Sequence, residues 1–121
     1  MSSSTTRLVT GATTNLTLLS VSPAPILEGV IATCTAAYAI FVKFYWFDAS
    51  TSSGATKPTV GTTLPALTLT IPTVATAPFF FGNGGINNKG DLWVAVTKLA
   101  ADSDTTVTVA GDGIITFMLG E

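Results

Sequence analysis

At 121 residues the chain has the length of one ordinary domain, long enough to bury roughly two thirds of its unfolded surface and to fold without metal or disulfide support. Charged residues make up only 10% of it, against about 25% in a typical soluble domain, while Ser and Thr supply about a quarter, so the expected surface is hydroxyl-rich and cheap to desolvate. A net charge of −2 with no run of Lys or Arg excludes a phosphate-neutralising footprint for nucleic acid, and the absence of His removes Ser-His-Asp and Cys-His chemistry and nearly every zinc site.

Residues 1–10, MSSSTTRLVT, contain too little apolar area to pack and read as a flexible arm ahead of a single domain over 11–121. They lack an apolar h-region, so no cleaved secretory signal is expected, and the Asn15-Leu16-Thr17 sequon is taken as chance. The first strand falls between Asn15 and Ser22 and is ended by Pro23 and Pro25. The second runs from Ile26 to Thr35, with Ile26, Glu28, Val30, Ala32 and Cys34 on one side and Leu27, Gly29, Ile31 and Thr33 on the other. Cys34 is the only cysteine, which excludes an internal disulfide and makes a buried inert thiol the expectation. The longest apolar charge-free run, Gly29 to Val42, falls short of the roughly 18 residues that span a bilayer, so no membrane partner is expected.

Ala36 to Asp48, AAYAIFVKFYWFD, carries most of the aromatic mass. Phe41, Lys43, Tyr45 and Phe47 share one face of this strand and Ile40, Val42, Phe44 and Trp46 the other, and a strand apolar on both faces must lie between two layers. Residues 48–60 form an exposed loop broken by Gly54 and Pro58. Ala66 to Ile71 then alternates cleanly, with Leu67, Leu69 and Ile71 inward and Thr68 and Thr70 outward, bracketed by Pro65 and Pro72.

Phe79, Phe80 and Phe81 cannot all face one core, so at least one is expected to meet a covering loop or another subunit. The following GNGGINNKGD reads as a long hairpin connection whose glycines need positive φ. Leu92 to Thr97 is a strand with Leu92, Val94 and Val96 on one face, followed by a short helical turn over 98–101. Asp102, Asp104 and Asp112 lack the ligand pattern of a calcium loop and are expected to cap turns. Ile114 to Leu119 closes the chain as a strand too apolar for an exposed edge.

Seven or eight short strands without a convincing helix predict an all-β fold, an antiparallel β-sandwich of jelly-roll type. The runs VKFYWFDAS, GATKPTVGTTLPALTLTIP and LWVAVTKLAADSDTT, with a P-x-x-G-T-x-x-P segment at Pro58 to Pro65 and a D-S-D-T turn at Asp102 to Thr105, resemble a family of small structural proteins of tailed bacteriophages. The resemblance implies a virion protein assembled in the host cytoplasm, a capsid decoration or cement subunit with the major capsid protein as partner. A tail or head-fibre module, or a carbohydrate-binding sandwich using Tyr45, Trp46 or Trp93, are the alternatives.

No enzyme activity, catalytic residue, metal or cofactor is expected, because the seven carboxylates are scattered along the chain and no motif gathers them. The two-faced aromatic strand predicts a homo-oligomer, with Tyr45, Phe47, Phe79, Phe80 and Phe81 as interface candidates, and the resemblance favours a trimer. On this reading Tyr45→Lys splits the oligomer and Trp46→Lys unfolds the subunit.

Overall fold

The computed structural model describes residues 3–21, 25–51, 54–82 and 84–120. They form an all-β sandwich. Strands β1 (Ser3–Val9), β2 (Thr17–Ser20), β3 (Ile26–Cys34) and β4 (Ile40–Phe47) are followed by a 3-10 turn at Ala49–Thr51. Strands β5 (Leu67–Ile71), β6 (Ala75–Phe80), β7 (Ile86–Asn87), β8 (Asp91–Thr97) and β9 (Gly113–Gly120) complete it. One antiparallel sheet has the order β1-β9-β3-β6, with the short β7 also pairing β3, and the other has the order β2-β8-β4-β5.

Alternation builds the core. Ile40, Val42 and Phe44 of β4, Leu92, Val94 and Val96 of β8, and Ile115, Phe117 and Leu119 of β9 all turn inward and are buried. The Phe44 and Phe117 rings meet edge to face across the sheets, with centroids 5.8 Å apart and planes at 85°. The apolar β9 lies between β1 and β3, as expected of a strand unfit for an edge. Cys34 is buried, its Sγ lying 3.2 Å from the Tyr38 carbonyl.

Strict alternation fails in β3. Its pairing with β9 shifts between Leu27 and Gly29, so Glu28 is the extra residue of a bulge and Leu27 joins Val30, Ala32 and Cys34 in the core. A bulge inserts one residue and so reverses the phase of everything before it, which is why the expected grouping of Ile26 and Glu28 with the core residues does not hold.

The N-terminal segment also departs from expectation. Residues 3–9 are not an arm but an edge strand, paired with β9 through seven consecutive partners from Ser3↔Gly120 to Val9↔Ile114, with Leu8 packed against the core. Backbone pairing supplies what the segment's few apolar side chains cannot; residues 1 and 2 lie outside the described residues. The glycine-rich stretch has positive φ at Gly82, Gly84, Gly85 and Gly90, but β6 and β8 belong to different sheets, so it is a crossover between layers and not a hairpin. Residues 98–101 form bends rather than a helical turn, and β7 brings the strands among the described residues to nine.

At one end of the sandwich the loops are held by Asn15, which is buried at φ 60°. Its Oδ1 accepts from the Gly11 N–H at 2.7 Å and its Nδ2 donates to Thr108 Oγ1 at 2.8 Å and to the Thr13 carbonyl at 3.0 Å. A side-chain amide committed in this way inside the fold is not available to a glycan, which fits the sequon being chance.

Candidate interaction face

The sandwich has two outer faces, and they are finished differently. On the sheet β2-β8-β4-β5 the outward residues are Phe41, Lys43, Tyr45 and Phe47 of β4 beside Thr97, Ala95, Trp93 and Asp91 of β8. Lys43 and Tyr45 are nevertheless 0% and 2% exposed, and Ala95 and Thr97 are buried with them. The cover is the chain itself. The loop over 48–66 and the loop over 98–112 come from opposite ends of the sandwich and meet, the Gly61 backbone lying against Ser103 and Thr105. Lys43 Nζ donates to the Ala101 carbonyl at 2.7 Å, tying the strand to the loop above it.

Electrostatics under this cover follow from burial. Desolvation pulls the Lys43 ammonium below the ordinary lysine value, against the carboxylates of Asp104 and Asp102, which favour its charge. Burial and the Asp102 charge together push the Tyr45 phenol above its ordinary value. Asp104 goes the other way. Burial opposes its ionisation, but hydrogen bonds from Thr106 Oγ1, the Leu99 N–H and the Thr106 N–H, with the Lys43 charge, bring its carboxyl below the ordinary range. Asp104 and Asp112 both accept backbone N–H groups in turns, from Leu99 and Val109 respectively, as expected of capping aspartates.

The other outer face has no such cover among the described residues. Pairing across β1-β9-β3-β6 sets three rows side by side: Val9, Ile114, Thr33 and Thr76; Arg7, Thr116, Ile31 and Pro78; Thr5, Met118, Gly29 and Phe80. Phe80 is 67% exposed, and Val9 and Ile31 also stand in solvent. Gly29 is needed here. A Cβ at this position would come within 2.7 Å of Met118 Cε and 3.1 Å of Phe80 Cδ1, so its bare backbone is the floor on which those two side chains lie. Arg7 is the only charged residue in the three rows, and Thr33 and Thr76 bond each other through their hydroxyls at 2.9 Å.

The five interface candidates from the sequence therefore separate. Phe80 lies on the open face. Tyr45 does not serve, because the chain's own loops bury it inside the subunit. Phe79 and Phe81 pack against the core, and Phe47 is half-buried, its backbone in contact with Gly90. Ile31, Met118, Pro78 and Val9 belong to the face and carry no aromatic signal; they become visible only once the registers of β1, β9, β3 and β6 are known. The aromatic groups that a sugar platform would use are split between faces, with Trp46 toward the core, its Nε1 donating to the Pro25 carbonyl at 3.2 Å, and Tyr45 beside Trp93 under the loops. Comparison with protein-family models, with curated proteins and with solved structures gives no match to the chain.

Proposed function

We propose that the chain is a virion structural protein of a bacteriophage, a capsid decoration subunit that lays the open outer face of β1-β9-β3-β6 on the assembled shell. The observation that carries this reading is the asymmetry of the sandwich: one outer face is closed by loops of the same chain, while the other holds Phe80, Ile31, Met118 and Val9 in a setting of threonines, with Arg7 and, over Gly120, the Glu28 carboxylate as its charges. Apolar groups rimmed by hydroxyls suit a contact that must desolvate at little cost. We read the strand orders β1-β9-β3-β6 and β2-β8-β4-β5, with β7 set aside, as a jelly-roll arrangement, a fold common in capsid proteins, and this supports the same reading at the level of fold analogy.

No chemistry is required of such a protein. A subunit that binds the assembled shell and not its dispersed parts stabilises the shell by mass action, in proportion to the logarithm of its free concentration over its dissociation constant. Added to undecorated capsids, the wild-type chain raises the temperature at which they release their contents. Phe80→Lys, which sets an ammonium within the contact, leaves that temperature at the undecorated value. Equal protection by Phe80→Lys and wild type would remove the open face from the mechanism, and no binding by either would remove the proposal.

A further inference from the structure

The four edges of the two sheets are not equally protected. An edge strand presents unpaired backbone N–H and C=O groups, and proteins blunt such edges with short strands, prolines, bulges or charges. β6 carries Pro78 within its length, which has no N–H to offer. β5 is five residues long between Pro65 and Pro72, and β2 is four residues long with an irregular register against β8. β1 carries one charge, Arg7 on its outer face, and none of the other devices. It is seven residues long, regular in register, free of proline, and among the described residues it pairs with β9 alone.

We propose that β1 is the seam of a twofold dimer, in which a second copy of this chain adds its own β1 antiparallel to the first. Side-chain alternation restricts the register, since outer residues must meet outer residues and the sum of the paired numbers must be even. Centring the axis on Thr6 keeps the whole strand in the pair and sets Thr6 against Thr6, Thr5 against Arg7 and Ser4 against Leu8. Centring it on Arg7 would place like charges directly opposite, which is unfavourable. The sequence of β1 is thus compatible with itself in the register of greatest overlap.

The dimer changes the open face as well. A twofold axis perpendicular to the sheet leaves both outer faces on the same side, so the rows that contain Val9, Arg7 and Thr5 continue into the partner without a break. One face of four strands spaced about 4.8 Å apart and about 24 Å long covers roughly 450 Å², and two cover roughly 900 Å², close to the roughly 800 Å² per partner of a stable interface. The seam assignment rests on the edges alone and stands whether or not the partner is a capsid. It differs from the trimer favoured by the resemblance, because the three blunted edges offer β1 no complementary seam for a closed ring of three.

Light scattering on the full chain at about 100 μM, where a micromolar contact is fully formed, gives twice the 12.4 kDa subunit mass on this proposal. Successive strand residues point their N–H groups to opposite sides, so one of Thr5→Pro and Thr6→Pro removes an outward N–H and the other a bond to β9. The outward variant runs as a folded monomer. Amide hydrogen exchange on the unmodified chain reads the same seam without mutation: the outward amides of β1 exchange slowly at high concentration and rapidly on dilution. A wild-type monomer, a trimer, or outward amides that exchange rapidly at every concentration would each overturn the proposal.

Discussion

Tyr45 and Phe80 are both large aromatic residues on outward-facing positions of adjoining sheets, yet one is sealed inside the subunit and the other stands in solvent. The difference does not come from the strands that carry them. It comes from the connections: the β4–β5 and β8–β9 loops are long enough to fold back over β4 and β8, whereas β5 joins β6 through only residues 72–74 and β3 joins β4 through 35–39. Short crossovers cannot cover the sheet β1-β9-β3-β6. Loop length therefore decides which face of this sandwich is available to another molecule.

The sharpest way to break this comparison is to place the same charge on both faces. Tyr45→Lys inserts a second ammonium beside the buried Lys43 and removes a packed ring, and it costs about 3–5 kcal/mol of folding stability. Phe80→Lys stays within about 0.5 kcal/mol of wild type. Urea denaturation followed by circular dichroism measures both. Near-equal losses would mean that the loops do not close the β4 face in solution, and would restore Tyr45 as an interface residue.

Much of the fold was legible in the sequence because it rests on period-two alternation. The inward sets of β5 and β8, the prolines around β5 and the central place of β9 follow from that pattern and from proline chemistry. The outcome at β1 was not legible, because TTRLV lacks apolar weight and owes its order to backbone pairing with a strand more than a hundred residues away. The β3 bulge was hidden for a similar reason, since the residue that is squeezed out depends on the partner's register. The open face was half legible. The three phenylalanines signalled that one must face outward, but which one follows from β6 pairing β3, and its neighbours Ile31 and Met118 come from strands distant in sequence.

A milder perturbation tests the closure itself. Gly61 has φ 91° and its missing Cβ would meet Thr105 Cγ2 at 2.5 Å and the Ser103 carbonyl oxygen at 3.3 Å, at the point where the two covering loops touch. Gly61→Ala then carries both the left-handed backbone penalty and the contact, about 1–3 kcal/mol in all. Gly54 has a similar φ, 88°, with nothing within 4 Å of its Cβ position, so Gly54→Ala carries the backbone penalty alone. The excess of the first loss over the second isolates the loop contact, and it should come with a change in Trp93 fluorescence. Equal losses would show that the loops do not press together at Gly61.

The smallest effect lies in the acid limb of the stability profile. Asp104 has its carboxyl held below the ordinary range in the folded chain, so its contribution is present in full at neutral pH and is lost as pH falls through the ordinary carboxylate range to the folded-state value. Asp104→Asn removes that dependence. It leaves one oxygen to accept from the Leu99 N–H but no charge facing Lys43, and after allowance for solvent screening it costs about 0.5–1 kcal/mol at pH 7. Protonation has already discharged the wild-type carboxyl in strong acid, so the two proteins converge there. The lysine supplies the opposite sign at the other end of the scale. With its folded-state value depressed, Lys43 sheds its proton earlier in the native chain than in the unfolded one, and stability rises as pH climbs toward the ordinary lysine value. Without the Asp104 charge the ammonium loses one of the two carboxylates that oppose its desolvation, so in Asp104→Asn this alkaline gain begins at lower pH. Melting temperature followed across both limbs reads the two effects separately, and an acid limb unchanged by the substitution would assign the acid sensitivity to other carboxylates.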